Sequence, residues 1–177
     1  MVITMKNIIL IGFMGTGKTS TGKRLASKLG LAFVDIDQAI EKEYEMTIPE
    51  MFAKCGEDYF RTCEKQMVKR LSERKKTVIA TGGGTVKDAE NVKILKENGV
   101  MICLSASVDA ILERTAHKGN RPVLDARDEG NRRKAVEVLM EERRELYKQA
   151  DYTVDTSEWS PLQVVDDIVH YLRNRGL

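Results

Sequence analysis

The chain has 177 residues and a formal net charge of +2, too small a surplus to argue for nucleic acid or an acidic membrane as partner. With 42% hydrophobic and 32% charged residues, it reads as one soluble globular domain spanning residues 1–177 rather than a disordered chain. No apolar run approaches the roughly 18 residues of a membrane span.

In chain order, Asn7 to Ile11 is a short apolar run rich in branched residues, the pattern of a buried strand. It leads directly into Gly12-Phe13-Met14-Gly15-Thr16-Gly17-Lys18-Thr19, which fits G-x-x-x-x-G-K-[ST] at every fixed position. A secretory leader is not expected to run into such a motif. Ser20 to Leu29 follows as a helix with Leu25, Ala26 and Leu29 inward, and Gly30 is its expected C-cap. The motif therefore sits between a strand end and a helix start. There, glycines let backbone N–H groups approach phosphate oxygens, and the helix N-terminus adds positive partial charge. Gly15, Thr16, Gly17, Lys18, Thr19 and Ser20 are the expected phosphate-binding residues. Lys18 reaches the β- and γ-phosphates and Thr19 offers a hydroxyl to Mg²⁺.

Ala32-Phe33-Val34 predicts a second buried strand, with Asp35 and Asp37 projecting from its end to one face by the two-residue period. Asp35 is then the candidate metal carboxylate, and Asp37 the acceptor of a substrate hydroxyl's proton. Either could instead cap the next helix, expected over Gln38 to Glu45. Thr47 is the expected N-cap of another helix, with Pro49 in its first turn, and Glu57 to Arg74 keeps helical spacing through Phe60, Cys63, Met67 and Leu71. Within it, Arg61 lies at helical reach of Glu57 and Glu64, so a surface ion pair is the plain reading. Thr77 to Ala80 is a third strand. It runs into Gly82-Gly83-Gly84, a close-approach loop that could donate N–H groups to a small ligand and does not match a dinucleotide fingerprint.

Asp88 to Glu97 reads as a helix, Val100 to Leu104 as a strand and Val108 to Thr115 as a helix. Residues 117–130 are polar and aperiodic with glycine and proline hinges, the pattern of a mobile lid, and Arg121 within them could close over phosphates or be a solvated loop charge. Asn131 to Gln149 is a charged helix whose apolar stripe runs through Val136, Leu139, Met140, Leu146 and Tyr147. Arg143 falls inside that stripe, where a guanidinium needs an anion unless it snorkels to the edge. Tyr152 to Val154 is a last strand, and Pro161 opens a C-terminal helix to Arg173. Three cysteines and two histidines give neither a disulfide framework nor a zinc pattern, so a reducing cytoplasm is the expected compartment. Alternation of apolar strands with helices predicts an α/β fold with a parallel sheet covered on both faces. Ligands then gather at the strand C-termini, where the P-loop, Asp35/Asp37 and the glycine run all fall.

Taken together, Gly12 to Thr19, Asp35-Ile36-Asp37, Gly56-Glu57 with Phe60-Arg61, Gly82 to Gly84, Arg121-Pro122-Val123-Leu124, and Arg143 with Leu146-Tyr147 resemble the shikimate kinase family in order and spacing over nearly the whole chain. The resemblance implies a three-layer, doubly wound P-loop kinase fold with the P-loop strand in the middle, a mobile lid, and a monomer. It implies ATP-dependent, Mg²⁺-assisted phosphorylation of the 3-hydroxyl of shikimate on the route to aromatic amino acids. By the same resemblance Asp37, Arg61, Gly82, Gly83, Gly84 and Arg143 contact shikimate, with the two arginines on its carboxylate. Lys18 and Thr19 serve the phosphates and Mg²⁺, Arg121 the ATP, and Arg114 and Pro161 flank adenine. The alternatives are a P-loop kinase for another polyol acid such as gluconate, and a nucleotide-gated binding module without catalysis.

Overall fold

The computed structural model describes residues 5–116 and 129–177. Its centre is a five-stranded sheet ordered β2-β3-β1-β4-β5, from β1 (Asn7–Gly12), β2 (Ala32–Asp35), β3 (Thr77–Ala80), β4 (Gly99–Ser105) and β5 (Tyr152–Asp155). Every pairing is parallel, with Leu10 opposite Ala80 on one side and Ile102 on the other. Parallel strands need crossovers, and helices supply them on both faces. Helices α1 (Lys18–Leu29) and α8 (Pro161–Asn174) pack Leu25, Ala26, Val164, Val165 and Ile168 against Ile8, Leu10, Ile102 and Leu104. On the opposite face α2 (Ile36–Tyr44), α3 (Ile48–Cys55), α4 (Glu57–Ser72) and α5 (Ala89–Asn98) enclose Ile9, Ile11, Ile79, Met101 and Cys103. Helices α6 (Val108–Thr115) and α7 (Glu129–Tyr147) cover the strand ends through Phe13, Met14, Ile111 and Val136.

The doubly wound sheet, with the P-loop strand in the middle, is the expected architecture. All six β1 residues are buried because β1 has neighbours on both sides and helices on both faces. The expected burial of β2 is corrected: Ala32 is exposed and Phe33 and Val34 are only half-buried. An apolar triplet does not reveal that its strand lies at the sheet edge, where one flank has no partner.

The two-residue periodicity assigned to Asp35 and Asp37 is also corrected. Strand β2 ends at Asp35, and α2 begins at Ile36 rather than Gln38, so Asp37 stands in the first helical turn. Asp35 is the N-cap, its Oδ1 accepting from the Gln38 N–H at 3.1 Å. The capping role that either aspartate could have taken therefore falls on Asp35. Thr47 caps α3 as expected, and Glu50 completes a capping box with it, each side chain accepting from the other's backbone N–H. A short 3₁₀ turn, Thr85–Lys87, follows the glycine run and carries too little periodicity to be read beforehand. Residues 117–128 of the expected lid, with Arg121, lie outside the described residues, whereas 129 and 130 belong to α7.

Candidate active site

Three strand ends build the cleft. After β1 the chain turns through Gly15 and Gly17, both at positive φ, 79° and 91°, which a residue with a side chain rarely adopts. Gly12, at φ 146°, is closed to substitution, since a Cβ there would lie 2.2 Å from the Leu104 carbonyl. Gly17 stands at the N-cap position of α1 and makes no side-chain cap bond, and the first turn of a helix favours an anion. Lys18 Nζ donates to the carbonyls of Gly12 at 2.7 Å and Phe13 at 2.9 Å and is nearly buried. Thr16 is turned away from the cleft: its hydroxyl donates to the Phe13 carbonyl at 2.8 Å, so its side chain shapes the loop from inside.

Two adjoining cavities open from this turn. One, of about 510 Å³, is lined by Gly15, Gly17, Lys18, Thr19, Ser20, Lys23 and Arg114. The other, of about 280 Å³, is lined by Arg61, Arg143 and Gly84 with Glu64, Phe52 and Phe60. They share a wall made of Thr19, Asp35, Asp37, Gly82 and Gly83. A larger cavity of about 540 Å³ lies between β4, β5 and α7, but its lining is mostly apolar and includes none of these groups.

On the shared wall, Thr19 Oγ1 donates to Asp35 Oδ2 at 2.5 Å. A hydroxyl and a carboxylate, both hard oxygen donors at the mouth of a phosphate loop, suit Mg²⁺, which needs one or two protein oxygens and completes its shell with water and phosphate. Among the described residues no group of three or more His, Cys, Asp or Glu gathers into a closed metal cage. Asp37 is the most perturbed group here. Burial above all, with the nearby Glu64 and Asp35 carboxylates, pushes its carboxyl up to about 7, against the opposing pull of Lys18 and Arg61. Its Oδ1 is enclosed without a hydrogen-bond partner among the described residues. A carboxylate oxygen left in that condition is costly unless a ligand donor satisfies it. Gly82 permits the approach, since a Cβ there would meet Asp37 Oδ1 at 2.8 Å.

Both arginines line the second cavity, Arg143 against Gly83 and Arg61 against Gly84. Arg61 forms both ion pairs within reach on its helix, and the one with Glu57 is a surface pair whereas the one with Glu64 is not. Its Nη1 donates to Glu64 at 2.8 Å, and the Glu64 side chain is only 2% exposed. Its Nε and Nη2 reach the exposed Glu57 at 3.4 and 3.3 Å. Arg143 is 7% exposed, so it does not snorkel. Nor is its partner among the described residues an anion: Nη1 donates to the Gly83 carbonyl at 3.1 Å and the guanidinium lies over the Phe13 ring at 5.5 Å. Tyr147 Oη donates to the same carbonyl at 2.7 Å, and burial pushes its phenol up to about 12, so it stays a donor. Among the described residues these neutral partners do not compensate the Arg143 charge, and an anionic ligand in the cavity would.

Of the residues expected from the sequence, Pro161 and Thr16 line neither cavity. Pro161 stands exposed in the first turn of α8, whose capping box is closed by Ser160 and Gln163. Arg114 does join the P-loop cavity, donating to the Gly15 carbonyl at 3.3 Å and to Thr156 Oγ1 and O at 2.9 and 2.6 Å. No sequence pattern marks Lys23, one turn beyond Thr19, or Phe13, whose value as a platform for Arg143 depends on a contact 130 positions away.

Comparison with known proteins agrees with this geometry. A family model described as shikimate kinase matches residues 14–173. The chain is 48% identical to the shikimate kinase of Thermodesulfovibrio yellowstonii, covering 93% of this chain and 94% of that one. It is 45% identical to that of Pelotomaculum thermopropionicum, covering 97% and 98%. Among solved structures it is similar to a shikimate kinase from Acinetobacter baumannii in complex with shikimate. The TM-score is 0.93 at 38% identity, over 98% of this chain and 96% of the other.

Proposed function

The chain belongs to the shikimate kinase family, and from that membership we propose how its own cleft performs ATP-dependent phosphorylation of a shikimate hydroxyl, a step toward aromatic amino acids. The observation that carries the assignment of roles is the shared wall. The phosphate loop and the two-arginine cavity meet at Thr19, Asp35, Asp37, Gly82 and Gly83. Donor and acceptor can therefore lie side by side, the positioning on which phosphoryl transfer chiefly depends.

ATP phosphates occupy the P-loop cavity against the first-turn N–H groups of α1, and Lys18 turns from its loop carbonyls to the β- and γ-oxygens. Thr19 and Asp35 hold Mg²⁺, which when bound neutralises charge on the phosphate oxygens. Shikimate occupies the smaller cavity with its carboxylate between Arg61 and Arg143, whose planar guanidinia suit bidentate recognition. Its 3-hydroxyl donates to Asp37. The hydroxyl oxygen then bonds to the γ-phosphorus, the bond to the β,γ-bridging oxygen breaks, the hydroxyl proton passes to Asp37, and ADP leaves. A carboxyl that titrates at about 7 is basic enough to take that proton and still ionised in part at neutral pH. Arg114 borders the nucleotide side. Arg121, which lies outside the described residues, has the lid role, and Pro161 flanks the base. The protein is taken to work as a cytoplasmic monomer. Among the described residues no helix is long and apolar enough to cross a membrane.

The test is ADP release coupled to a spectroscopic readout, with shikimate, quinate and gluconate as acceptors, with and without Mg²⁺. Release with shikimate, abolished by chelation, is expected. A preference for gluconate, or nucleotide binding with no acceptor-dependent release, would overturn the assignment.

A further inference from the structure

Glu64 is a carboxylate inside the protein, 1% exposed, and its two oxygens have different partners. Oε1 accepts from Arg61 Nη1 at 2.8 Å, and Oε2 accepts from Thr85 Oγ1 at 2.9 Å. The terminal torsion of a glutamate is broad and roughly two-fold, so one oxygen held alone does not fix the carboxylate plane. A donor on each oxygen does. The plane of the Glu64 carboxylate in turn directs its strongest partner, the Arg61 guanidinium, because the Glu57 contacts are longer and lie at the exposed side.

Thr85 is itself held firmly. It is fully buried, its N–H donates to the Gly82 carbonyl at 3.3 Å, and its own carbonyl accepts from Asn91 Nδ2 at 3.1 Å. It thus immediately follows the glycine run and reaches across to α4 by one hydroxyl. That run and Arg61 are already in tight register, since a Cβ on Gly84 would lie 2.5 Å from Arg61 Nη2. We infer that Thr85 is a positioning residue for shikimate recognition: through Glu64 its hydroxyl locks the orientation of Arg61 and keys that arginine to the glycine loop with which it lines the acceptor cavity. Asn91 anchors the threonine from behind.

This rests on the reading that Arg61 binds the shikimate carboxylate. Thr85→Val is nearly isosteric and removes only the donor, leaving Glu64 Oε2 buried without a partner. The carboxylate is then free to rotate, and Arg61 loses its set orientation. The experiment is steady-state kinetics of Thr85→Val, Thr85→Ser, Arg61→Ala and the Arg61→Ala/Thr85→Val double variant, with melting temperatures alongside. Thr85→Val is expected to raise KM for shikimate about 5- to 20-fold, with KM for ATP within about twofold. Thr85→Ser, which keeps the hydroxyl but loses a buried methyl, is expected to fall in melting temperature while its shikimate KM stays within about twofold of wild type. On the Arg61→Ala background Thr85→Val should add less than about twofold, because its effect passes through Arg61. Equal shikimate KM for the valine and serine variants, a parallel rise in both KM values, or full additivity in the double variant would each overturn the inference. An Arg61→Ala protein with unchanged shikimate KM would instead remove the reading beneath it, and the two failures are distinguishable because only the second shows in the single arginine variant.

Discussion

Asp37→Asn should make the protein more stable and catalytically poor, and the size of the gain should depend on pH. The Asp37 carboxyl is pushed from 3.8 to about 7, first by burial and then by Glu64 and Asp35. Between those values the folded state keeps the proton and the unfolded chain releases it. The folded state therefore binds more protons, and stability falls as pH rises through the window from about 3.8 to about 7, then levels off. At about 1.36 kcal/mol for each pH unit of that window, the ceiling on the loss is about 4 kcal/mol. The enclosed Oδ1 without a hydrogen-bond partner is the structural source of this cost. An asparagine is neutral throughout, and the difference between the two proteins cancels the titration of the groups they share. Urea denaturation of ligand-free protein should give nearly equal stabilities at pH 4. At pH 8 the variant should lead by roughly 2–4 kcal/mol, or about 2–4 °C in Tm for each kcal/mol. Turnover at pH 8 should fall by about two orders of magnitude or more, the range of a lost general base, with ATP affinity little changed. An advantage of the same size at pH 4 and pH 8, or a wild type more stable than Asp37→Asn at pH 8, would refute the reasoning. A collapse of ATP affinity would move Asp37 to the metal and exchange its role with Asp35.

Two further predictions test the acceptor cavity. Arg143→Ala should raise KM for shikimate by roughly 10- to 150-fold, the value of a charge-assisted hydrogen bond, with ATP affinity nearly unchanged. Arg143→Lys should recover only part of this, because an ammonium cannot make two parallel bonds; complete recovery in steady-state kinetics would argue against bidentate recognition. Gly84→Ala carries no backbone strain at φ −106°, yet its Cβ would meet Arg61 Nη2 at 2.5 Å. It should therefore raise the shikimate KM about tenfold or more, by displacing a charge-assisted contact, while the melting temperature stays near that of wild type, and an unchanged KM would show that Arg61 can shift without consequence.

Much of the molecule was legible from local pattern. The P-loop declares itself because its glycines, lysine and threonine are adjacent in sequence, and phosphate binding there is a property of eight consecutive residues. The alternation of apolar runs with helical spacing fixed the order of elements, since a buried strand and an amphipathic helix carry different periods. Arg143 was visible as a charge inside an apolar stripe, and its burial at 7% agrees. What sequence could not decide depends on contacts between distant segments. Asp35 and Asp37 looked like two residues of one strand, but the helix starts one residue after Asp35, and a strand-to-helix turn still leaves both carboxylates on the cleft wall. Arg143 was expected to take a ligand's carboxylate, and only tertiary packing shows that the Gly83 carbonyl and the Phe13 ring hold its guanidinium at the cavity. Arg61 and Glu64 were readable as an ion pair from their i,i+3 spacing. The burial of Glu64, and the hydroxyl of Thr85 on its second oxygen, came only from packing α4 against the turn after β3. Local spacing carries the chemistry of a residue, whereas its solvation, and hence the pKa of Asp37 and the worth of each charge, is set by everything that closes around it.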